Sequence, residues 1–349
     1  MIPLLSGGAI AFGLSIFLTP FAIRFLRGRN VGQFIQEDVE GHLHKRGTPT
    51  MGGTIMVLAV VIAYLAAHLR IWTPDNGIGL SMRDFESPGL LALWAFVGMG
   101  LIGFLDDVSK VSRARNLGLN KRWKFAGQLV VAAVFAFWAV DVGVSTELSF
   151  TRVLGLDLGP FYVVMVLVML TATANAVNLT DGLDGLASGS GALVFAAFTI
   201  IGFWQFRHPE FYGIEGTLEL AILSTALLGA ALGFLWWNTA PARIFMGDTG
   251  SQALGGAMAA FALLTNTQLL LVVLGGLYVI ITLSVILQVG SYRMFGRRIF
   301  KMAPLHHHFE LKGWPETTVI VRFWILAGIS VAVGLGLFYG DFITSGGAG

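Results

Sequence analysis

Asn175-Ala-Val-Asn-Leu-Thr-Asp-Gly-Leu-Asp-Gly-Leu-Ala187 is an acidic, glycine-rich turn set between two apolar runs, Gly159–Leu179 and Leu186–Phe206. Each run is long enough to cross a bilayer, for which about 20 apolar residues suffice. A carboxylate inside a span is costly, roughly +2.5 to +3.5 kcal/mol at a helix centre on insertion scales. Asp181 and Asp184 therefore need neighbours that explain them.

The rest of the chain shares this apolar character. Of 349 residues, 55% are hydrophobic and 12% charged, with a mean hydropathy of +0.76. That is about half the charge of a soluble globular protein. The deficit is spread along the whole chain, which excludes a soluble enzyme with a single anchor. The 45 glycines fit the same class, because membrane helices use small residues to bring backbones together. With no cysteine, disulfides, thiolate chemistry and cysteine metal sites are excluded. A net charge of +2 gives no reason to expect a nucleic-acid partner.

Reading for further apolar runs gives ten spans: Leu5–Arg24, Met51–Leu69, Gly89–Leu105, Phe125–Val144, Gly159–Leu179, Leu186–Phe206, Leu218–Trp237, Gly250–Leu264, Leu269–Ser291 and Thr318–Tyr339. The expected fold is an all-α polytopic integral membrane protein of about ten transmembrane helices, forming a single domain over residues 1–349. Alternate loops carry 18 of the 22 Lys and Arg, while Asp and Glu divide ten and ten. A basic bias without an acidic one is the positive-inside pattern. It puts both termini on the extracytoplasmic (periplasmic) side and the loops 25–50, 106–124, 178–185, 238–250 and 292–317 on the cytoplasmic face. Charges follow the first span without preceding it, so an uncleaved first helix is expected.

Loop 178–185 breaks this pattern, with two Asp and no Lys or Arg. Three more polar constellations share its side. In Gly103-Phe-Leu-Asp-Asp-Val-Ser-Lys110, Asp106 and Asp107 fall at the expected C-terminus of the third span, where the helix dipole disfavours them. Lys110 stands four residues from Asp106 and offsets part of that. The plain reading is a solvated helix end; the alternative is Mg²⁺ or phosphate handling, since hard cations prefer carboxylate oxygens. In Asn238-Thr-Ala-Pro-Ala-Arg-Ile-Phe-Met-Gly-Asp-Thr-Gly-Ser251, Asp248 either caps the eighth span or joins backbone N–H groups around a metal-bridged pyrophosphate. Phe245 beside it is either a base-stacking residue or an interfacial anchor. Asp181 or Asp184 has the same cap alternative for the sixth span. In Pro304-Leu-His-His-His-Phe-Glu-Leu-Lys-Gly-Trp-Pro-Glu316, the adjacent His306, His307 and His308 lack zinc-site spacing, and contacts to phosphate or sugar suit them better.

Taken together on one face, Asp106, Asp107, Asp181, Asp184, Asp248 and the histidines, with Lys45, Lys110 and Lys124, form an inventory suited to diphosphate chemistry. No Walker-type phosphate loop and no G-x-S-x-G elbow occur in the sequence. A secondary transporter is the alternative from a different class. It would place its acids near the midplane on broken, repeated helices, whereas here they gather at span ends.

These stretches, with Gly47-Thr-Pro-Thr-Met-Gly-Gly53, closely resemble the phospho-N-acetylmuramoyl-pentapeptide transferase (MraY) family of the polyprenyl-phosphate N-acetylhexosamine-1-phosphate transferase superfamily. The resemblance runs in order along nearly the whole chain, and the His triplet with its Glu points to that family in particular. It implies a Mg²⁺-dependent enzyme of the bacterial plasma membrane, active in peptidoglycan synthesis and hence in cell-wall formation, shape and division. Undecaprenyl phosphate would attack UDP-MurNAc-pentapeptide, giving lipid I and UMP. The resemblance further implies that Asp248 binds Mg²⁺ and that Asp106 or Asp107 contacts or deprotonates the lipid phosphate. Asn178, Asp181, His306 and His307 would line the sugar–diphosphate region, with His306 counted among the catalytic groups and His308 among those that bind substrate. Lys45, Gly182, Leu183, Asp184, Asn238 and Phe245 would form the uridine pocket, and Lys124 matches a basic site position. A homodimer is a family expectation, and a transferase for another UDP-aminosugar is the nearest alternative.

Overall fold

The computed structural model describes residues 1–29, 45, 47–73, 77–112 and 118–346. Parts of the expected loops 25–50 and 106–124 (30–44, 46 and 113–117) lie outside the described residues. The helices are α1 (Ile2–Gly28), α2 (Gly53–Ala67), α3 (Ser87–Ser112), α4 (Lys121–Asp141), α5 (Phe161–Thr180), α6 (Leu186–Arg207), α7 (Pro209–Tyr212), α8 (Thr217–Asn238), α9 (Gly247–Leu264), α10 (Leu270–Leu274), α11 (Gly276–Phe295), α12 (Leu305–Glu310) and α13 (Glu316–Thr344). Two antiparallel hairpins interrupt them, β1 (Leu69–Thr73) with β2 (Gly77–Met82), and β3 (Glu147–Ser149) with β4 (Val153–Asp157).

Each of the ten apolar runs is helical. Eight of the described helices (α1, α3, α4, α5, α6, α8, α11 and α13) are long and apolar enough to cross a membrane, and α2 is a shorter apolar helix. The chain is an all-α polytopic membrane protein. Peripheral helices show why no amphipathic stripe was needed: α1 turns Phe17, Phe21 and Phe25 outward, as a lipid-facing helix can. The centre is α9, in which every side chain from Thr249 to Leu264 is buried. It packs against α2, α3, α5, α6 and α10. Small residues permit this approach. A Cβ at Gly103 of α3 would lie 2.1 Å from the Asp248 carbonyl oxygen, and one at Gly53 of α2 would lie 2.1 Å from the Gly250 nitrogen. Both helices thus touch the first turn of α9 backbone to backbone.

Four sequence expectations are corrected. The ninth run breaks at Gly275 into α10 and α11. The third helix continues to Ser112, so Asp106 and Asp107 lie more than a turn inside it and escape the terminal dipole. Neither Asp181 nor Asp184 caps α6, whose N-cap is Gly185 at φ 78°. Asp248 does not cap α9 either: it sits in the first turn, after Met246 at the N-cap.

Candidate active site

Asp107, on α3, supplies the cap that α9 lacks locally. Its Oδ1 accepts the Asp248 N–H at 3.1 Å, and its Oδ2 accepts the Thr249 N–H at 2.9 Å and the Thr249 hydroxyl at 2.7 Å. A helix N-terminus leaves such donors orphaned and favours a negative charge there. The Gly103 contact brings α3 near enough for this. Asp107 is 2% exposed, and both its oxygens are engaged with α9.

With α9 fixed, Asp248 meets three other helices. Its Oδ1 accepts Asn178 Nδ2–H at 2.9 Å from the end of α5, and the same amide reaches Ser251 Oγ at 2.9 Å. Its Oδ2 pairs with Lys124 of α4 and lies 3.1 Å from Lys110 Nζ of α3. Asn120 caps α4 by accepting the Arg122 N–H, which starts the helix that carries Lys124. Asp106 Oδ2 lies 2.7 Å from Lys110, and its Oδ1 accepts the Leu119 N–H at 2.7 Å. Ligand atoms of Asp106, Asp107 and Asp248 fall within 4.8 Å of one another. Three carboxylates thus face two ammonium groups, and the excess negative charge suits one more cation. An all-oxygen carboxylate set is what a hard divalent ion takes. Lys110 and Lys124 supply point charges for phosphate oxygens.

Asp181 ends α5 beside this cluster. Burial pushes its carboxyl well above the ordinary carboxylate range, with Asp248, Asp107 and Asp184 adding to the effect.

A second group lies across the Asp181–Gly185 turn. Lys45 Nζ is 2.7 Å from Asp184 Oδ1 and 2.5 Å from Glu316 Oε1. Asp184 Oδ2 accepts the Ala242 N–H at 2.8 Å, and the Asp184 N–H donates to Glu316 Oε1 at 3.1 Å. Asn238 is buried, donating to the Ile244 carbonyl and accepting from Ser188, so its amide shapes the loop after α8. The partly buried Phe245 is held through its backbone, its N–H on the Pro49 carbonyl and its C=O on the Gly52 N–H. Leu183 packs with Leu186, Leu277 and Val319, which leaves only its backbone for a ligand.

The histidines divide. A Cβ on Gly182 would lie 2.4 Å from His306 Nε2 and 3.4 Å from His307 Nε2, so these two rings cover the turn where a side chain would otherwise stand. His307 also pairs with Glu310 at 2.7 Å. His308 faces elsewhere, accepting the Lys301 N–H on Nδ1 at 3.0 Å and meeting Phe300 edge-on. Burial, then Lys312 and Lys301, hold its imidazole below the ordinary range. With Nδ1 on the Lys301 N–H, His308 has only Nε2 to offer a ligand.

Glu316 closes the polar stretch 304–316, but an acid in the first turn of a helix is commonplace and pointed to no role. Lys110, expected as a partner of Asp106 and as one of the basic residues for phosphate, also reaches Asp107 at 3.7 Å and Asp248 at 3.1 Å. Asn175, Gln128 and Gln252 form an amide ladder at 3.1 and 3.0 Å, buried at its two glutamines, which ties α5 and α4 to α9.

Residues 90–266, which include the acidic cluster, match the family model described as glycosyl transferase family 4. Fold and match together define the class as membrane-embedded glycosyl transferases of that family. Much longer similarities narrow it. A phospho-N-acetylmuramoyl-pentapeptide-transferase of Frankia casuarinae is 50% identical over 355 residues, covering 97% of each chain. Proteins of the same name from Streptomyces griseus subsp. griseus and Streptomyces coelicolor are each 48% identical, over 96% and 98% of this chain and 97% and 99% of theirs. The chain belongs to the phospho-N-acetylmuramoyl-pentapeptide-transferase family.

Proposed function

We propose that the protein transfers phospho-MurNAc-pentapeptide from UDP-MurNAc-pentapeptide to undecaprenyl phosphate, giving lipid I and UMP, in the plasma membrane of a bacterium. The residues act as one domain with the site on the cytoplasmic face, a reading supported by the basic bias of the loops. The observation that carries the reading is the convergence of Asp106, Asp107, Asp248, Lys110 and Lys124 at one end of the helical bundle.

Mg²⁺ would be held by Asp248, with Asp106 and Asp107 within reach. Bound there, it would neutralise charge on the diphosphate and the leaving UMP. The chain's own residues do the rest. Lys110 and Lys124 draw phosphate oxygens toward the carboxylates and balance the charge that develops in transfer. Asn178 holds one oxygen of Asp248, which fixes its orientation. Asp107, turned toward α9, keeps that helix and its Asp248 in place. Asp106 is then the carboxylate left to contact the lipid phosphate and take its proton, if it carries one. An oxygen of the lipid phosphate forms a bond to the β-phosphorus while the bond from that phosphorus to the UMP oxygen breaks. One phosphoanhydride replaces another, so no ATP is needed. Lys45, Asp184 and Phe245 face the uridine, and Gly182 lets the turn lie close under His306 and His307.

Assay of UDP-MurNAc-pentapeptide and UDP-GlcNAc in parallel, each with undecaprenyl phosphate and Mg²⁺, tests the substrate. UMP release with the first alone, abolished by chelation, is the expected result. Turnover of UDP-GlcNAc alone would replace this reading with that of a related aminosugar transferase. A labelled phospho-enzyme formed without lipid acceptor would replace the single displacement with a two-step route.

A further inference from the structure

The turn between α5 and α6 is gripped from one short stretch of chain, residues 304–316, at two points. His306 covers Gly182, and ten residues later Glu316 accepts the Asp184 N–H. Glu316 has a second task. Its Oε1 also accepts from Lys45 Nζ at 2.5 Å, while Asp184 Oδ1 takes the same ammonium at 2.7 Å. Lys45 and the Asp184 side chain are almost fully buried, and the Glu316 side chain is 18% exposed. One ammonium is thus fixed between two carboxylates contributed by segments 139 and 271 residues away.

A lysine ammonium has three N–H donors and no acceptor. Two are taken, one by each carboxylate, which leaves one in a fixed direction. If Glu316 were absent, Asp184 would be the only carboxylate partner among the described residues, and the long side chain would be free to rotate about that one contact. Charge sharpens the arrangement. One cation with two anions leaves this end net negative, which repels a diphosphate. The cluster of Asp106, Asp107 and Asp248 with Lys110 and Lys124 carries the same excess of one negative charge, but its three carboxylates would take a divalent cation, which would reverse the sign there. A nucleotide sugar entering such a site is turned with its diphosphate toward the lysine pair.

We infer that Glu316 is a positioning residue for the nucleotide, aiming the remaining N–H of Lys45 at an acceptor on the nucleoside and excluding the diphosphate from that end. The inference rests on the proposed reaction, in which Lys45 and Asp184 face uridine. Its test uses the full-length protein in detergent, with UMP binding and steady-state kinetics on wild type, Glu316→Gln and Glu316→Asp. Loss of a charged hydrogen bond predicts a rise of about tenfold in the UMP Kd and in the KM for the nucleotide sugar of Glu316→Gln. Its kcat should stay within about twofold of wild type, with the KM for polyprenyl phosphate unmoved. Glu316→Asp, which keeps the carboxylate, should recover most of the affinity. Wild-type UMP affinity in Glu316→Gln would overturn the inference and leave the reaction standing. So would a lowered melting temperature with both KM values shifted together, which marks a merely structural role. A wild-type protein that binds no UMP would instead remove the proposed reaction, and the inference with it.

Discussion

Two ends of this helical bundle bury carboxylates, and they do so differently. At one end Glu219, in the first turn of α8, is wholly buried. It takes the Tyr64 hydroxyl at 2.6 Å, His68 Nε2 at 2.8 Å and Arg83 at 2.8 Å, with Arg83 also 3.2 Å from Glu86. One carboxylate is surrounded by three donors, and the β1–β2 hairpin between His68 and Arg83 is pinned by them. At the other end three carboxylates share two lysines, with Lys110 about a third exposed and Asp248 reachable. The first arrangement is closed: two side-chain donors and one ion pair meet a single carboxylate that has no exposure. The second carries excess charge and an opening. Burial of charge alone does not mark a site; an excess of buried like charge with access does.

Substitutions at the two ends should therefore fail in different ways. Asp248→Asn should lower turnover on the order of 10³-fold, because the electrostatic stabilisation it organises is lost, with the melting temperature close to wild type. Asp106→Asn should lower kcat by about 10²-fold with little change in stability. The comparison would break if Glu219→Gln behaved like these. It should instead lose on the order of 1–3 kcal/mol of stability by weakening the contacts of Tyr64, His68 and Arg83, while the protein that remains folded keeps its kcat. Asp107→Asn sharpens the boundary between the classes. An amide puts an NH2 group where one carboxylate oxygen stood, so it cannot accept from the Asp248 N–H and from Thr249 at once, and about 1–3 kcal/mol of stability should go, with activity falling as α9 shifts.

The smallest effect is expected at Asp181. Its folded carboxyl is raised by burial and then by Asp248, Asp107 and Asp184, so the folded state binds a proton that the unfolded state has released. Stability from this group is present below the ordinary carboxylate range and fades as pH rises toward the raised value. Thermal melts should show Asp181→Asn less destabilised by rising pH than wild type. A steeper dependence in the variant would contradict the environment described.

The difference between the two ends also explains what the sequence disclosed. Long apolar runs give the helices directly, and Asp106 with Lys110 is visible because both lie on one helix face four residues apart. Three of the four polar stretches converge within a few ångströms, as their shared side suggested, and two of the three histidines join the turn. The closed end was invisible, because Tyr64 and His68 read as ordinary members of an apolar run and Glu219 as an acid at a helix start. Glu316 was hidden for the same reason. Asp107 acting as the cap of α9 joins residues 142 positions apart through a contact that only glycine at position 103 permits. Such links are made by packing, which local pattern does not encode. The break at Gly275 was written as a Gly-Gly pair, but the apolar run around it outweighed that signal.

The most direct test is UMP release from UDP-MurNAc-pentapeptide mixed with undecaprenyl phosphate and Mg²⁺, measured side by side for wild type, Asp248→Asn and Glu219→Gln. The two-ends account predicts release by wild type and by folded Glu219→Gln, with almost none from folded Asp248→Asn. Release by Asp248→Asn at the wild-type rate would contradict it.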